Sequence, residues 1–249
     1  MAARQKKRVT ASAAKRRASR SSARSAAAKP ASDVAELRRR LERAIPEPRC
    51  ELDHANAWQL LVATILSAQS TDARVNQVTP ELFRRWPDAA SLGAASQEAV
   101  EAVVKSTGFF RNKARAIREA SQALAERHGG EVPRSLEAAL ELRGVARKTA
   151  NVVLGVAHGL PTGIVVDTHV ARVAQRLGLT RDEDPVAIEQ DLCALFPRDE
   201  WVATGLRLVL HGRYLCTARK PACERCPFNE LCPSRERPGE GRWMDRIEA

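Results

Sequence analysis

The sequence lacks the features that would place the chain in a membrane or direct its export. No apolar stretch approaches the roughly 18 uninterrupted residues that a membrane-spanning helix requires. The N-terminus has no compact apolar segment after its first charges, and we therefore expect no secretory signal peptide. Hydrophobic residues still make up 44% of the 249 residues, which excludes a wholly disordered chain and is enough for one large domain or two small ones.

Acidic residues are absent from the first 32 positions, which carry ten lysines and arginines. Residues 33–249 are nearly neutral, with 31 basic and 30 acidic side chains, so ten of the eleven net positive charges belong to the first 32 positions. We expect residues 1–32 to form a disordered basic tail, because Ala, Ser, Arg and Lys offer little to bury. Such a tail could tether a cytoplasmic, nucleoid-associated protein to nucleic acid, or it could be a solvated leader such as an organellar transit peptide.

Strand patterns are also absent, since no stretch longer than four residues alternates with a period of two. The only β-rich segment is Gly163–Val166, whereas apolar residues elsewhere recur at helical spacing. We therefore predict an all-α fold. The predicted helices span 33–45, 57–68, 79 onwards, 94–104, 112–128, 135–142, 147–158, 167–177, 185–196 and 200–214.

Four of the six cysteines lie within 17 residues, at Cys216, Cys223, Cys226 and Cys232. Four thiolates so close together can hold either a Zn²⁺ ion or a [4Fe–4S] cluster. Structural zinc sites usually contain two close cysteine pairs, whereas this C-x6-C-x2-C-x5-C pattern contains one, so we favour the cluster. Charged neighbours argue against four incidental buried thiols.

A compact turn is predicted between two helices at Leu142–Ala150, with the sequence LRGVARKTA. Gly144 permits a backbone conformation that other residues resist. The first amides of the next helix have no partner within the helix and carry the positive end of its dipole, so they can bind a phosphate. A plain hairpin between two helices would show the same turn.

Lysine is scarce after the tail, where only Lys105, Lys113, Lys148 and Lys220 occur. The chain uses arginine elsewhere, and arginine is also the better phosphate ligand, so phosphate binding alone does not account for Lys148. A lysine amine can act as a nucleophile, whereas a guanidinium cannot lose its proton. The alternative is a solvated surface lysine.

Asp167 precedes a helix whose apolar face contains Val170, Val173 and Leu177. An aspartate in this position is most often an N-cap, and it could also be a catalytic carboxylate that capping holds rigid. The opposite face carries His169, Arg172 and Arg176. This polar stripe could follow a phosphate backbone, or it could simply face solvent.

Taken together, these motifs resemble the endonuclease III family of DNA glycosylases, whose members contain a helix-hairpin-helix motif and a [4Fe–4S] cluster. The resemblance covers about residues 33–235 and departs from the family at Arg143 and Ala146, where a proline and a second glycine are usual. A left-handed Ala146 would be strained by about 1–2 kcal/mol. The segments that carry the resemblance are 66–72, 142–151, 166–169, 210–213 and the four-cysteine loop.

The resemblance implies a bilobal architecture with a helical-barrel lobe and an iron–sulfur lobe. The first would span 51–160 and contain the helix-hairpin-helix motif at 135–158, and the second would combine 33–50 with 161–249. Duplex DNA would lie across the cleft between the lobes of a monomer, with Lys148 and Asp167 facing each other.

The resemblance also implies a bifunctional DNA glycosylase/AP lyase of base excision repair that removes oxidised pyrimidines and cuts 3′ of the abasic site. Lys148 would form a Schiff base with the assistance of Asp167. Gln69 and Phe109 would fill the space left by the flipped base, although Phe109 could equally be a core aromatic. The other DNA contacts that we expect are Gly144, Val145, Ala146, Arg147, His169, Arg172, Arg219 and Lys220.

Three alternatives remain at this stage. An adenine glycosylase of the related mismatch-repair branch would share the cysteine loop. That branch generally lacks the lysine found at Lys148 and carries an extra C-terminal domain, whereas 17 residues follow Cys232 here. A monofunctional glycosylase is a weaker variant of the same hypothesis. A zinc-containing DNA-binding protein without enzymatic activity is the alternative from a different functional class.

Overall fold

The computed structural model describes residues 31–235. Residues 1–30 of the predicted basic tail and residues 236–249 lie outside the described residues. The first described helix begins at Ala31, so the last two positions of the predicted tail belong to a helix.

Within residues 31–235 the structure contains helices and no strand, which confirms the all-α prediction. Gly163–Val166 is an irregular segment and forms no strand in the described chain. The α-helices are α1 (Ala31–Ala44), α2 (Ala57–Leu66), α3 (Asp72–Arg85), α4 (Ala89–Ala94), α5 (Gln97–Val104), α6 (Phe110–Arg127), α7 (Leu136–Leu140), α8 (Arg147–His158), α9 (Thr168–Arg176), α10 (Pro185–Leu195) and α11 (Trp201–Tyr214). Short 3₁₀ turns occur at Lys105–Thr107, Arg198–Glu200, Cys223–Arg225 and Asn229–Leu231.

Two predicted helices differ from those observed. The helix that was expected to open at Thr79-Pro80 begins at Asp72, and the hydroxyl of Thr71 caps it. It continues through Pro80 because apolar side chains on both sides of the proline are buried, which offsets the lost backbone hydrogen bond. The helix predicted at 94–104 begins three residues later, as α5, which Ser96 caps, and α4 just before it, which Asp88 caps, was not predicted.

The buried apolar side chains form two clusters. The first core contains residues between Leu52 and Leu154, including nearly all of α2, which was predicted to be buried all round. The second core combines Leu37 and Leu41 of α1 with residues between Ile164 and Phe228. The described part of the chain therefore starts in the second core, forms the first core, and then returns to the second.

The helices that matter for function belong to different cores. α8 packs against α2 in the first core, whereas α9 packs against α11 in the second core. The N-termini of α8 and α9 carry the predicted turn and Asp167, so the meeting of the two cores brings these features together. Among the described helices, none has the length and hydropathy needed to cross a bilayer.

Candidate active site and iron–sulfur loop

A cleft of about 340 Å³ lies where the two cores meet, and both predicted catalytic side chains line it. Lys148 enters from α8 and Asp167 enters from the start of α9. Other walls come from α2 and α11, and Gln69 also lines the cleft. The structure therefore places in the lining of one cleft the two residues that the family resemblance paired.

The turn before Lys148 needs one glycine. Gly144 has φ +76°, and a Cβ there would lie 2.9 Å from the side chain of Ala116. Ala146 is the N-cap of α8 in an extended conformation (φ −85°, ψ 167°), so the strain expected for a left-handed alanine does not arise. The side chain of Val145 is buried in the first core, which leaves only its backbone for the predicted DNA contact.

No side chain caps the N-terminus of α8, whereas Asp167 caps α9. Oδ1 of Asp167 accepts hydrogen bonds from the backbone amides of His169 and Val170, both at 2.8 Å. The buried side chains of Ile164 and Val166 anchor the preceding segment. The capping interpretation of Asp167 is thus confirmed, and the same carboxyl group lines the cleft.

Gln69 and Phe109 are the non-glycine residues with positive φ within residues 31–235, at 53° and 46°. A left-handed conformation costs a non-glycine residue about 1–2 kcal/mol, and such strain clusters at functional sites. Phe109 is 67% exposed, so the alternative that it is a core aromatic is wrong. Gln69 and Phe109 are also the two residues that the family resemblance predicts to fill the space left by the flipped base.

Sequence reasoning missed Lys113, which supports the loop that carries Phe109. Its Nζ donates a hydrogen bond of 2.6 Å to the carbonyl of Thr107, in the 3₁₀ turn just before Gly108. Lys113 is 5% exposed, and burial lowers the pKa of its amine. The scarcity of lysine in the sequence could have singled out Lys113 as well. It does not distinguish a buried lysine that bonds to a backbone carbonyl from a nucleophilic lysine.

The prediction that Arg172 contacts DNA is wrong. Its side chain is buried, and it donates hydrogen bonds to the carbonyls of Cys216 (3.0 Å) and Gly212 (2.7 Å). Arg176, also buried, bonds to Sγ of Cys216 (3.3 Å) and to the carbonyls of Thr217 and Ala218. The polar stripe on α9 faces the cysteine loop, and burial lowers the pKa of Arg172. His169, on the same stripe, lies 3.2 Å from Arg172.

The four cysteines line one small cavity, together with Arg176, His211 and Asn229. Burial, aided by the neighbouring cysteines, raises the pKa of Cys226 to about 11. Four thiolates in such surroundings require positive charge between them, which an iron–sulfur cluster supplies. Within residues 31–235, no group of three or more His, Cys, Asp or Glu side chains is arranged to hold a single metal ion.

The loop is also held by packing. Phe228 is fully buried, and its ring lies 4.9 Å from the ring of His211 in an edge-on arrangement. Burial lowers the pKa of His211 to about 4, with a smaller contribution from Arg172. Arg219 and Lys220, which were predicted to contact phosphates, are exposed on this loop.

An ionic cluster that the sequence did not predict lies at one end of the cleft. Arg213 of α11 forms ion pairs with Asp72 (2.8 Å) and Glu51, and the hydroxyl of Tyr214 also contacts Glu51. Asp72 and Arg213 lie in segments that carry the family resemblance, yet no local pattern shows that they meet. Arg147, which was predicted to contact DNA, forms an ion pair with Glu189.

Arg172→Met should destabilise the cysteine loop without changing the salt dependence of DNA binding. A buried carbonyl left without a donor costs about 1–3 kcal/mol, and Arg172 donates to two such carbonyls. Thermal unfolding and iron content would show the loss. Arg219→Met is the matched control, since loss of an exposed phosphate ligand should flatten the salt dependence and leave stability unchanged. A flattened salt dependence in Arg172→Met at unchanged stability would contradict this assignment.

Phe109→Gly should raise the free energy of unfolding by about 0.5–1 kcal/mol. Glycine relieves about 1–2 kcal/mol of left-handed strain and returns part of it as chain entropy. Phe109→Ala keeps the strain and is the matched control, with no stabilisation expected. Urea unfolding of both variants without DNA is the measurement. The strain argument fails if the glycine variant is no more stable than the alanine variant.

Comparison with known proteins places these features in one family. The model of the HhH-GPD superfamily of base excision DNA repair proteins matches residues 62–198, and the model of the iron–sulfur binding domain of endonuclease III matches residues 216–232. Endonuclease III of Synechocystis sp. (strain PCC 6803) is 52% identical over 194 residues, which cover 78% of this chain and 89% of that protein.

Two solved structures are also similar along most of their length. A non-covalent endonuclease III–DNA complex has a TM-score of 0.79 at 38% identity and covers 89% of this chain and 100% of that one. A trapped endonuclease III–DNA covalent intermediate has a TM-score of 0.76 at 42% identity and covers 82% of this chain and 97% of that one.

Proposed function

Because this chain belongs to the endonuclease III family of HhH-GPD base excision DNA repair proteins, we propose that it removes oxidised pyrimidines from duplex DNA through a lysine Schiff base. Family membership makes it a DNA glycosylase/AP lyase with a [4Fe–4S] cluster. The proposal adds the lesion class, the covalent intermediate and the site of the cut. The observation that carries it is the presence of Lys148 and Asp167 in one cleft.

A relative supports the covalent step. The trapped intermediate with DNA was obtained for an endonuclease III that is 42% identical to this chain. A covalent bond to DNA needs a nucleophile in the cleft, and Lys148 is the one lysine among the described residues that line it, with an amine able to attack a sugar carbon.

The first event is removal of the damaged base from the stack, because the enzyme cannot reach the sugar carbon C1′ otherwise. Unstacking costs a few kcal/mol and costs least for a damaged base. Phe109 and Gln69 would occupy the vacated space, and His169 would contact the opened region. Both Phe109 and Gln69 are exposed and have a left-handed backbone conformation before DNA binds.

The neutral amine of Lys148 then attacks C1′ while the bond from C1′ to the base breaks, and the base leaves with the electron pair. Asp167 stabilises the positive charge that develops on the sugar and accepts the proton released by the amine. The sugar ring opens to give a Schiff base between C1′ and Lys148. Loss of a proton from C2′ then breaks the C3′–O bond, which cuts the strand 3′ of the abasic site.

Phosphate contacts would come from two surfaces. The first amides of α8 are not capped by a side chain, so they can donate to a phosphate. Arg219 and Lys220 are exposed on the cysteine loop. When bound, the cluster cross-links this loop, and we propose that its role is to hold these two basic residues in place.

The domain organisation follows from the two cores. We assign the first core to a helical-barrel lobe at 51–160, with the helix-hairpin-helix motif at 135–158, and the second to an iron–sulfur lobe formed by 33–50 and the chain after 160. The protein would act as a monomer, and the basic tail would tether it loosely to DNA.

Lys148→Ala should abolish the adduct that borohydride traps on duplex DNA containing thymine glycol. Alanine has no amine to form the Schiff base, whereas the DNA-binding surfaces remain. The measurement is gel analysis of the trapped complex, with fluorescence anisotropy as the control for binding. Lys105→Ala, on the 3₁₀ turn after α5, is the matched substitution and should trap normally. An adduct that survives in Lys148→Ala would exclude this residue as the nucleophile.

Asp167→Asn should lower the single-turnover rate by about 100-fold or more with little loss of stability. The charge that stabilises the sugar cation is lost, but asparagine caps a helix about as well as aspartate. Rates on thymine glycol DNA and thermal unfolding are the two measurements. If the melting temperature collapses and the rate per folded molecule is unchanged, Asp167 is only a cap.

A further inference from the structure

Glu189 of α10 is a carboxylate buried against the helix that carries Lys148. The residue is 9% exposed. Its Oε1 accepts hydrogen bonds from Nη2 of Arg147 (3.2 Å) and Nδ2 of Asn151 (3.1 Å), and its Oε2 accepts one from Nε of Arg147 (3.3 Å). Burial of a carboxylate is costly unless donors surround it, so these bonds explain why the charge is tolerated.

The backbone leaves space for this carboxylate at Gly163. A Cβ at that position would overlap Oε1 of Glu189 and would lie 2.7 Å from Nδ2 of Asn151. The hydroxyl of Thr162 donates to Oδ1 of Asn151 at 2.9 Å, so both ends of the Asn151 amide are held. Three separate segments of the chain thus converge on one buried charge.

The network lies directly behind the cleft. Asn151 and Gly163 line the cleft together with Lys148 and Asp167. On the other side, a second cavity of about 310 Å³ is lined by Glu189 and by residues of the same network. Glu189 is not a lining residue of the cleft, so it would act on the reaction through other residues rather than by touching DNA.

The network also joins the two cores. Arg147 and Asn151 lie on α8, which packs in the first core, whereas α10 contributes Ile188 and Leu192 to the second core. Since no side chain caps α8, its first turn is not fixed from within. Glu189 fixes that turn from the core that also carries the helix of Asp167.

We propose that Glu189 is a positioning residue for Schiff-base formation, which holds the first turn of α8 so that the amine of Lys148 faces Asp167. The inference rests on the proposed function of Lys148. The carboxylate draws Arg147 toward α10 and fixes Asn151, and these two residues lie on either side of Lys148 in the sequence. A displacement of about 1 Å at a reacting centre can cost about 100-fold in rate, so the orientation of this turn matters.

Glu189→Gln is the direct test, because it keeps the shape of the side chain and removes the charge. We expect the dissociation constant for DNA with a tetrahydrofuran abasic-site analogue to stay within about threefold of wild type. The single-turnover rate of borohydride trapping on abasic-site DNA should fall by about tenfold or more. Glu98→Gln removes the same charge from the exposed first turn of α5 and should trap at the wild-type rate.

Two further variants separate positioning from general stability. Thr162→Val preserves shape and charge but frees Oδ1 of Asn151, and a smaller loss of about two- to fivefold in trapping rate is expected. Glu189→Asp retains the charge and should restore part of the rate lost in Glu189→Gln. If Glu189→Gln does not fold, the test uses Thr162→Val instead, provided that this variant has the melting temperature of the wild-type protein.

The proposal is overturned if folded Glu189→Gln traps within about twofold of wild type, or if it loses as much binding as trapping. For Thr162→Val, a wild-type trapping rate would have the same meaning where the Gln variant does not fold. Failure of the underlying function looks different, because the wild-type protein would then form no adduct, or Lys148→Ala would still form one.

Discussion

Two buried arginines attach the cysteine loop to the helix that Asp167 caps, and the arrangement of the second core depends on them. A guanidinium cannot lose its proton in a protein, so its burial must be matched by acceptors. The loop supplies them, since Arg172 and Arg176 bond to backbone carbonyls of residues 212 and 216–218 and to one cysteine sulfur. One short helix, α9, therefore connects the two features: Asp167 caps its N-terminus at the cleft, and its arginines hold the iron–sulfur loop.

The cleft is the meeting point of two helix N-termini that treat their free amides differently. In α9 the side chain of Asp167 accepts from two of them, which fixes that carboxyl group where the proposed chemistry needs it. In α8 no side chain does so, which leaves the amides for a phosphate of the substrate. The first turn of α8 therefore lacks a cap of its own, and Glu189 of α10 accepts hydrogen bonds from Arg147 and Asn151 there. One helix end thus positions a charge, while we propose that the other binds a phosphate of DNA.

The helical class and the cysteine loop could be predicted from local pattern, and the family resemblance predicted that Lys148 and Asp167 share one cleft, which both of them line. It was wrong about Arg172, since periodicity tells which residues share a face but not what covers that face. Glu189 and Arg213 were missed for the related reason that their partners lie far away along the chain. Pro80 misplaced the start of a helix, because the burial that overrides a proline is visible only in three dimensions.

The order of the two cores along the chain bears on synthesis. The buried residues of the first core all lie between Leu52 and Leu154, so this core can begin to form while the ribosome is still translating. Leu37 and Leu41 of α1 emerge earlier, but their partners extend to Phe228, so the apolar face of α1 must wait for nearly the whole polypeptide. The cysteines of the loop emerge at the same late stage. Delivery of iron and sulfide must therefore follow the synthesis of residues 216–232 and of the partners that complete the second core.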